Sequence, residues 1–288
     1  MEEKIKEIYK APVYRLGAVD LITLGLIIGF TSFISLFLGT PYTQIIYVGP
    51  WNFVDEGWFV TDRYIFYGVL IASVVLSIII RRKRWEKALG PIRDILYVNC
   101  DVELFLKYST CGIEYASNLL GKKYVEKYRC KVKLVNFEEF YVEGLNAKGK
   151  YNDALEYLEK SWKSPKRRNK YYLLLQKTRL FIAYHEKDIE FYKVLLEKSL
   201  SAIKKDKIVV AKSLILQDKY GEAIKILEEL EPKYCYEKVE KHYIIANCYM
   251  ELNDAEKAKE YIGFVIENGN NTMIREKALE LFEEKNYT

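Results

Sequence analysis

Residues Tyr64 to Ile80 carry no charged side chain and run directly into Arg81-Arg82-Lys83-Arg84. As a helix rising about 1.5 Å per residue, such a segment spans roughly 26 Å, the lower end of what crosses a hydrocarbon core. Interior Leu, Ile and Val each favour insertion by about 0.3–0.6 kcal/mol, whereas an Arg or Lys at mid-membrane costs about 3 kcal/mol, so the basic tetrad stays in water. Four basic side chains beside a span mark its cytoplasmic end. The roughly 200 residues after Arg84 are therefore expected in the cytoplasm.

A second apolar segment, Leu16 to Leu38, is longer than a signal-peptide core and is followed by neither an A-x-A cleavage pattern nor a lipobox cysteine. It is predicted to remain as a membrane span. Asp20 lies about one turn inside it, where a carboxylate reaches headgroup water. Gly25 and Gly29 in the first span, and Gly68 and Ala72 in the second, have the small-x-x-x-small spacing that lets helices pack closely. Residues 1–15 form a lead-in with Lys4, Lys6, Lys10 and Arg15, and Ala11-Pro12 interrupts any helix in its first ten residues. The loop from Gly39 to Arg63 is acidic and aromatic, with Asp55, Glu56 and Asp62 opposed only by Arg63. The charge asymmetry at both spans predicts an integral protein of the plasma membrane, with N- and C-termini cytoplasmic and the loop outside. Trp51, Phe53, Trp58 and Phe59 are read as interfacial aromatics.

Charge argues against nucleic acid as a partner. Residues 81–87 supply +4 of the formal net charge of +5, which leaves the rest nearly balanced. A run of Lys163, Lys166, Arg167, Arg168 and Lys170 is read as a solvated loop, with contact to anionic lipid as the alternative. The five cysteines, Cys100, Cys111, Cys130, Cys235 and Cys248, all follow the second span and fall in no C-x-x-C pair, so they are read as buried free thiols in a reducing compartment. His185 and His242 complete no zinc-ligand pattern. There is no Walker-type glycine loop, H-E-x-x-H or G-x-S-x-G, so no catalytic, cofactor or metal residue is assigned and no enzyme activity is expected.

Beyond Trp85 the pattern is helical throughout. A break is predicted at Gly90-Pro91 within a basic linker over 81–100, and Asn99 or Asp101 is placed to cap a helix that ends near Gly121. Further breaks are predicted at Gly149, Ser164-Pro165, Lys187-Asp188, Asp218, Glu231-Pro232, Asn253-Asp254 and Gly269-Asn270-Asn271.

Three segments echo one another. Gly149-Lys150-Tyr151-Asn152-Asp153-Ala154 corresponds to Lys219-Tyr220-Gly221-Glu222-Ala223 and to Asn253-Asp254-Ala255-Glu256-Lys257-Ala258. Ala154, Ala223 and Ala258 fit a period of about 34 residues, with one degenerate copy between the first two. Val142, Ala211 and Ala246 precede the alanines by twelve positions, and Leu158, Leu227 and Ile262 follow them by four. This pattern resembles the tetratricopeptide repeat, a helix-turn-helix unit that stacks into a superhelix. The copies lack the family's early tryptophan, and Asn169 to Leu200 follows no single register. Asp101 to Val135 is read as a further degenerate unit and Thr272 to Glu284 as a terminal capping helix.

The expected fold is all-α: a transmembrane helical hairpin (16–38 and 64–80) followed by a cytoplasmic tetratricopeptide-like α-solenoid over 101–288. The resemblance implies that first helices line a concave face that binds a protein or peptide ligand, here Asn136, Glu139, Glu143, Asn146, Lys212, Ile215, Tyr243, Asn247 and Met250. The expected function is a membrane-anchored adaptor or scaffold. The alternatives are a sensor, in which the outer loop or hairpin binds a ligand and signals to the helices, and an accessory subunit of a larger membrane complex.

Overall fold

The computed structural model describes residues 2–10, 72, 75, 76, 79, 80, 83–119, 124–161 and 168–284. Among them every regular element is a helix: α1 (Glu2–Lys10), α2 (83–97), α3 (Val102–Leu119), α4 (Tyr124–Ala147), α5 (Tyr151–Ser161), α6 (Arg168–His185), α7 (Ile189–Lys198), α8 (Ser201–Lys204), α9 (Lys207–Ile215), α10 (Tyr220–Glu228), α11 (Cys235–Glu251), α12 (Ala255–Asn268) and α13 (Met273–Glu284). Met1–Tyr9 and Leu89–Thr288 form one compact unit, and Lys10–Ala88 another. Both expected spans, apart from five positions of the second, lie outside the described residues. So do the outer loop, Arg81, Arg82, Gly121, the Ser164-Pro165 break, and the side chains of Cys130 and of the basic run 163–170. Lys83 and Arg84 are exposed at the start of α2. No helix among the described residues is long and apolar enough to cross a membrane.

Four helix pairs share one stop signal. At the turns α4/α5, α6/α7, α9/α10 and α11/α12 a single residue takes left-handed φ: Gly149 (76°), Lys187 (54°), Asp218 (58°) and Asn253 (59°). The next amide reaches back five residues, from Lys150 to the Leu145 carbonyl (2.8 Å), Asp188 to Ala183 (3.0 Å), Lys219 to Leu214 (3.0 Å) and Asp254 to Tyr249 (2.9 Å). This Schellman arrangement satisfies the carbonyls of the last turn. Asp188 and Asp254 then cap the next helix, accepting from the Phe191 and Lys257 amides at 2.9 and 3.2 Å. Asp101 does the same for α3, accepting from the Leu104 amide at 3.0 Å. Six of the predicted breaks fall at observed stops, these four together with Glu231-Pro232 and Gly269-Asn270-Asn271, and the sequence pattern did not mark the interruptions at 199–200 and 205–206.

The alanine pattern is the core. Val142, Ala154, Leu158, Ala211, Ala223, Leu227, Ala246, Ala258 and Ile262 are all fully buried. Small side chains let the paired helices approach, and the large residue fills the gap to the next pair. In the second pair Tyr192 stands where the others carry alanine, and its hydroxyl donates to the Val209 carbonyl at 2.8 Å. Leu180 takes the place of the small residue twelve positions earlier, and both are buried in one cluster. Successive turn residues are 38, 31 and 35 positions apart (149, 187, 218, 253), so a long interval and a short one hide the period between Asn169 and Leu200.

Two expectations are corrected. Residues 83–97 are helical through Gly90-Pro91, so the predicted break is absent. The missing Pro91 amide removes one hydrogen bond, while burial of Ile92, Ile95 and Leu96 stabilises the helix across it. Asp101 to Val135 is not a separate unit, because α4 runs unbroken from Tyr124 to Ala147. α3 and α4 cross closely where they lack side chains: a Cβ on Gly112 would lie 2.2 Å from the Phe137 ring, and one on Gly144 2.7 Å from Leu106. α1 packs there too. Ile5 and Ile8 are buried, and the Tyr9 hydroxyl donates to the Gly112 carbonyl at 2.9 Å.

The helical array closes on itself. The Val102 amide donates to Asn271 Oδ1 at 2.6 Å, Asn271 Nδ2 to Asp101 Oδ1 at 2.9 Å, and Asn270 Nδ2 to the Asn99 carbonyl at 3.1 Å. Lys148 bridges Glu276 (3.2 Å) and Glu103 (3.4 Å). α13 is therefore more than the expected terminal cap, since it joins the end of the array to its beginning.

Candidate functional site: the interior of the helical ring

The interior is lined mainly by first helices. The position after the small residue of each pair carries Glu143 (α4), Phe181 (α6), Lys212 (α9) and Asn247 (α11); one turn earlier come Glu139, Lys177, Ile208 and Tyr243. Closure of the ring surrounds a cavity of about 400 Å³ lined by residues including Tyr97, Glu143, Lys177, Phe181, Lys212, Tyr236 and Glu240. A smaller void of about 40 Å³ adds His185 and Tyr243 to Asn146, Lys212, Tyr236 and Glu240.

Lys212 is the centre of this wall. Its side chain is 8% exposed, and its ammonium lies 2.7 Å from Glu240 Oε1. The same ammonium stands 4.5 Å above the Phe181 ring and 5.5 Å from that of Tyr184. A lysine this buried needs compensation for lost hydration, and one carboxylate with two π faces supplies it. A second pair, Lys177–Asp206 at 3.7 Å, lies on the same wall. Burial, then Glu143, Glu139 and Glu237, raises the pKa of the Tyr97 phenol. Burial and then Glu240 do the same for Tyr236. Both phenols therefore stay neutral and face the cavity as hydroxyl groups able to donate.

His185 closes the lower wall. Its Nε2 is 2.8 Å from the Tyr151 hydroxyl and its Nδ1 is 3.4 Å from the Lys277 ammonium. An ammonium only donates, so Nδ1 accepts and Nε2–H donates to Tyr151. Desolvation, followed by the Lys277 and Lys212 charges, lowers the imidazole pKa to about 4.

The nine residues expected on a concave face divide. Glu143, Asn146 and Lys212 meet at the main cavity, and Tyr243 joins Asn146 and Lys212 at the smaller one. Glu139 acts on Tyr97 from α4. Asn247, one turn on from Tyr243 in α11, acts on the Tyr243 phenol against the burial that raises it. Ile215 and Met250 pack against core clusters, and Asn136 is half-buried on α4 away from the cavity lining. Sequence reasoning missed Phe181 and Lys177 because the second pair had no register; Leu180 in the small-residue position places both on the lining rungs. It missed Tyr97 because 81–100 was read as a linker, and Glu240 because its partner is set by packing between α9 and α11.

A cavity of this volume, with apolar walls and a few fixed polar groups, has the size and character of a site for a small ligand or a partner's side chain. Among the described residues no group of three or more His, Cys, Asp or Glu is placed to hold a metal ion. No family model, no curated protein and no solved structure matches the chain.

Proposed function

We propose that this chain is a membrane-anchored adaptor whose tetratricopeptide-like helical ring binds a protein or peptide partner on the cytoplasmic side. The observation that carries the reading is the docking of α1 on α3 and α4. α1 precedes the two apolar segments and α3 follows them, yet Tyr9 bonds to Gly112 within one compact unit. Any crossing between Lys10 and Ala88 is therefore even in number, as a two-span hairpin requires. The described positions of the second segment support a lipid-facing surface: Val75, Leu76, Ile79 and Ile80 are helical and 43–57% exposed. The interior cavity is the partner site in this reading, taking a side chain or chain end rather than a peptide laid along the whole array.

Two measurements test it. An impermeant maleimide applied to intact cells should label a cysteine introduced at Trp51 and spare one introduced at Thr288; labelling of position 288 overturns the topology. A photoreactive phenylalanine analogue at Phe181 should crosslink the partner, and one at the exposed Glu256 should not. Crosslinking from position 256 alone removes the cavity from the interface.

One observation favours the sensor as a second reading. Tyr9 is held between Tyr115 and Phe137, with ring centroids at 5.0 and 5.5 Å, immediately before the first apolar segment. A shift of that segment would pull directly on α3 and α4. Loss of a membrane response in Tyr9→Ala with partner crosslinking intact would favour this reading.

A further inference from the structure

We propose that Cys100 and Cys235 form a peroxide-sensitive dithiol, a modification site that closes reversibly to a disulfide across the seam of the helical ring. Cys100 follows α2, is fully buried, and packs with Val239, Ile274 and Ala278; Cys235 opens α11 and packs against the same cluster while remaining half-exposed. The chain around them is held together as well: the rings of Tyr97, three residues before Cys100, and Tyr236, next to Cys235, have centroids 6.2 Å apart. Each is a free thiol, and the other described cysteines lie elsewhere: Cys111 half-buried on α3, Cys248 in the cluster around Ala211 and Ala223. The seam brings the pair together, since Cys100 adjoins the Asn99 carbonyl and Val102 amide that bind Asn270 and Asn271.

Exposure assigns the roles. A peroxide reaches Cys235 first. The Cys235 thiolate attacks one peroxide oxygen, the O–O bond breaks, and the departing hydroxide is protonated to water, leaving a sulfenic acid on Cys235. The Cys100 sulfur then attacks the Cys235 sulfur; the S–O bond breaks, and the Cys100 proton leaves with the hydroxide as a second water. The two thiols lose two electrons and one peroxide is reduced to two waters. Burial, and then Cys235, push the Cys100 thiol up to about 12, which suits a group that reacts only with the sulfur already against it. A small-thiol reductant reverses the step. The bond ties the end of α2 to the start of α11 beside the Asn271 contacts, so oxidation locks the ring shut. The inference does not depend on the adaptor reading.

The test uses the full-length chain in detergent, treated with hydrogen peroxide, blocked with N-ethylmaleimide and digested with trypsin. The expected product links peptide 94–107 to peptide 234–238 at a mass two hydrogens below their sum, and is lost on reduction. Cys100→Ala should accumulate a dimedone-reactive sulfenic acid on Cys235, whereas Cys235→Ala should leave Cys100 unmodified. Phenylarsine oxide, which needs two adjacent thiols, should protect Cys235 of the unmutated protein from maleimide and leave Cys235 of Cys100→Ala unprotected. Circular dichroism checks that each variant folds, and the map of the unmutated protein decides the pairing by itself. The proposal is overturned by absence of the linked product, by linkage to Cys111, Cys130 or Cys248, or by a sulfenic acid on Cys100 in place of Cys235.

Discussion

Lys212 and Glu240 pair at 2.7 Å in the cavity wall, with side chains only 8% and 18% exposed. Removing one partner leaves the other charge buried and uncompensated, at a cost of about 3–5 kcal/mol. Lys212→Met and Glu240→Leu should therefore each lower the urea midpoint strongly. The double variant should return to within about 1 kcal/mol of the parent, because well-packed apolar residues often replace such a pair without loss. Additive single effects would mean that the two groups do not pair in solution.

The shared turn makes opposite predictions at two of its positions. Gly149→Ala forces an L-residue to hold φ of 76° and brings its Cβ within 2.8 Å of Met273 Cγ, so it should destabilise by about 2 kcal/mol. Lys187→Gly relieves an exposed left-handed lysine and should stabilise by about 0.5 kcal/mol. Thermal melts followed by circular dichroism measure both. A neutral Gly149→Ala would place α13 away from this turn.

Closure of the ring rests partly on Asn271, whose carbonyl accepts the Val102 amide and whose amide group donates to Asp101. Asn271→Ala leaves a backbone donor without its acceptor, for a loss of about 1–3 kcal/mol. Hydrogen exchange should accelerate at the amides of 101–103 and around 270, with those of α10 unchanged. Uniform acceleration would instead indicate global destabilisation.

His185 gives a pH dependence of known sign. Its folded pKa of about 4 lies below the unfolded value near 6.5, so the unfolded chain binds more protons between those limits. Its contribution to stability is complete above pH 6.5, falls as pH drops toward 4, and is constant below that. Melting temperatures recorded from pH 7 to pH 4 should decline, and His185→Gln should flatten the decline. An identical slope in the variant would assign the effect to other groups.

How much of this was readable from the residues varies by element. The stops at Gly149, Asp218 and Asn253 were legible because helix termination is local chemistry: a left-handed residue and a capping side chain act within a few positions. The alanine positions were legible because three copies repeat them. The pair containing Tyr192 was hidden, since a tyrosine buried by its own bond to Val209 bears no resemblance to an alanine. Pro91 misled, because a local preference for a break lost to the burial of Ile92 and Leu96.

From the order of residues alone come the helices, most of their ends and the alternation of small and large residues that pairs them, because these depend on neighbours within a turn or two. Closure of the ring, the partner of Lys212 and the meeting of Cys100 with Cys235 were decided only in the tertiary structure. Val102 and Asn271 are 169 residues apart, and their bond depends on the accumulated rotation of every helix pair between them. No local pattern encodes that sum.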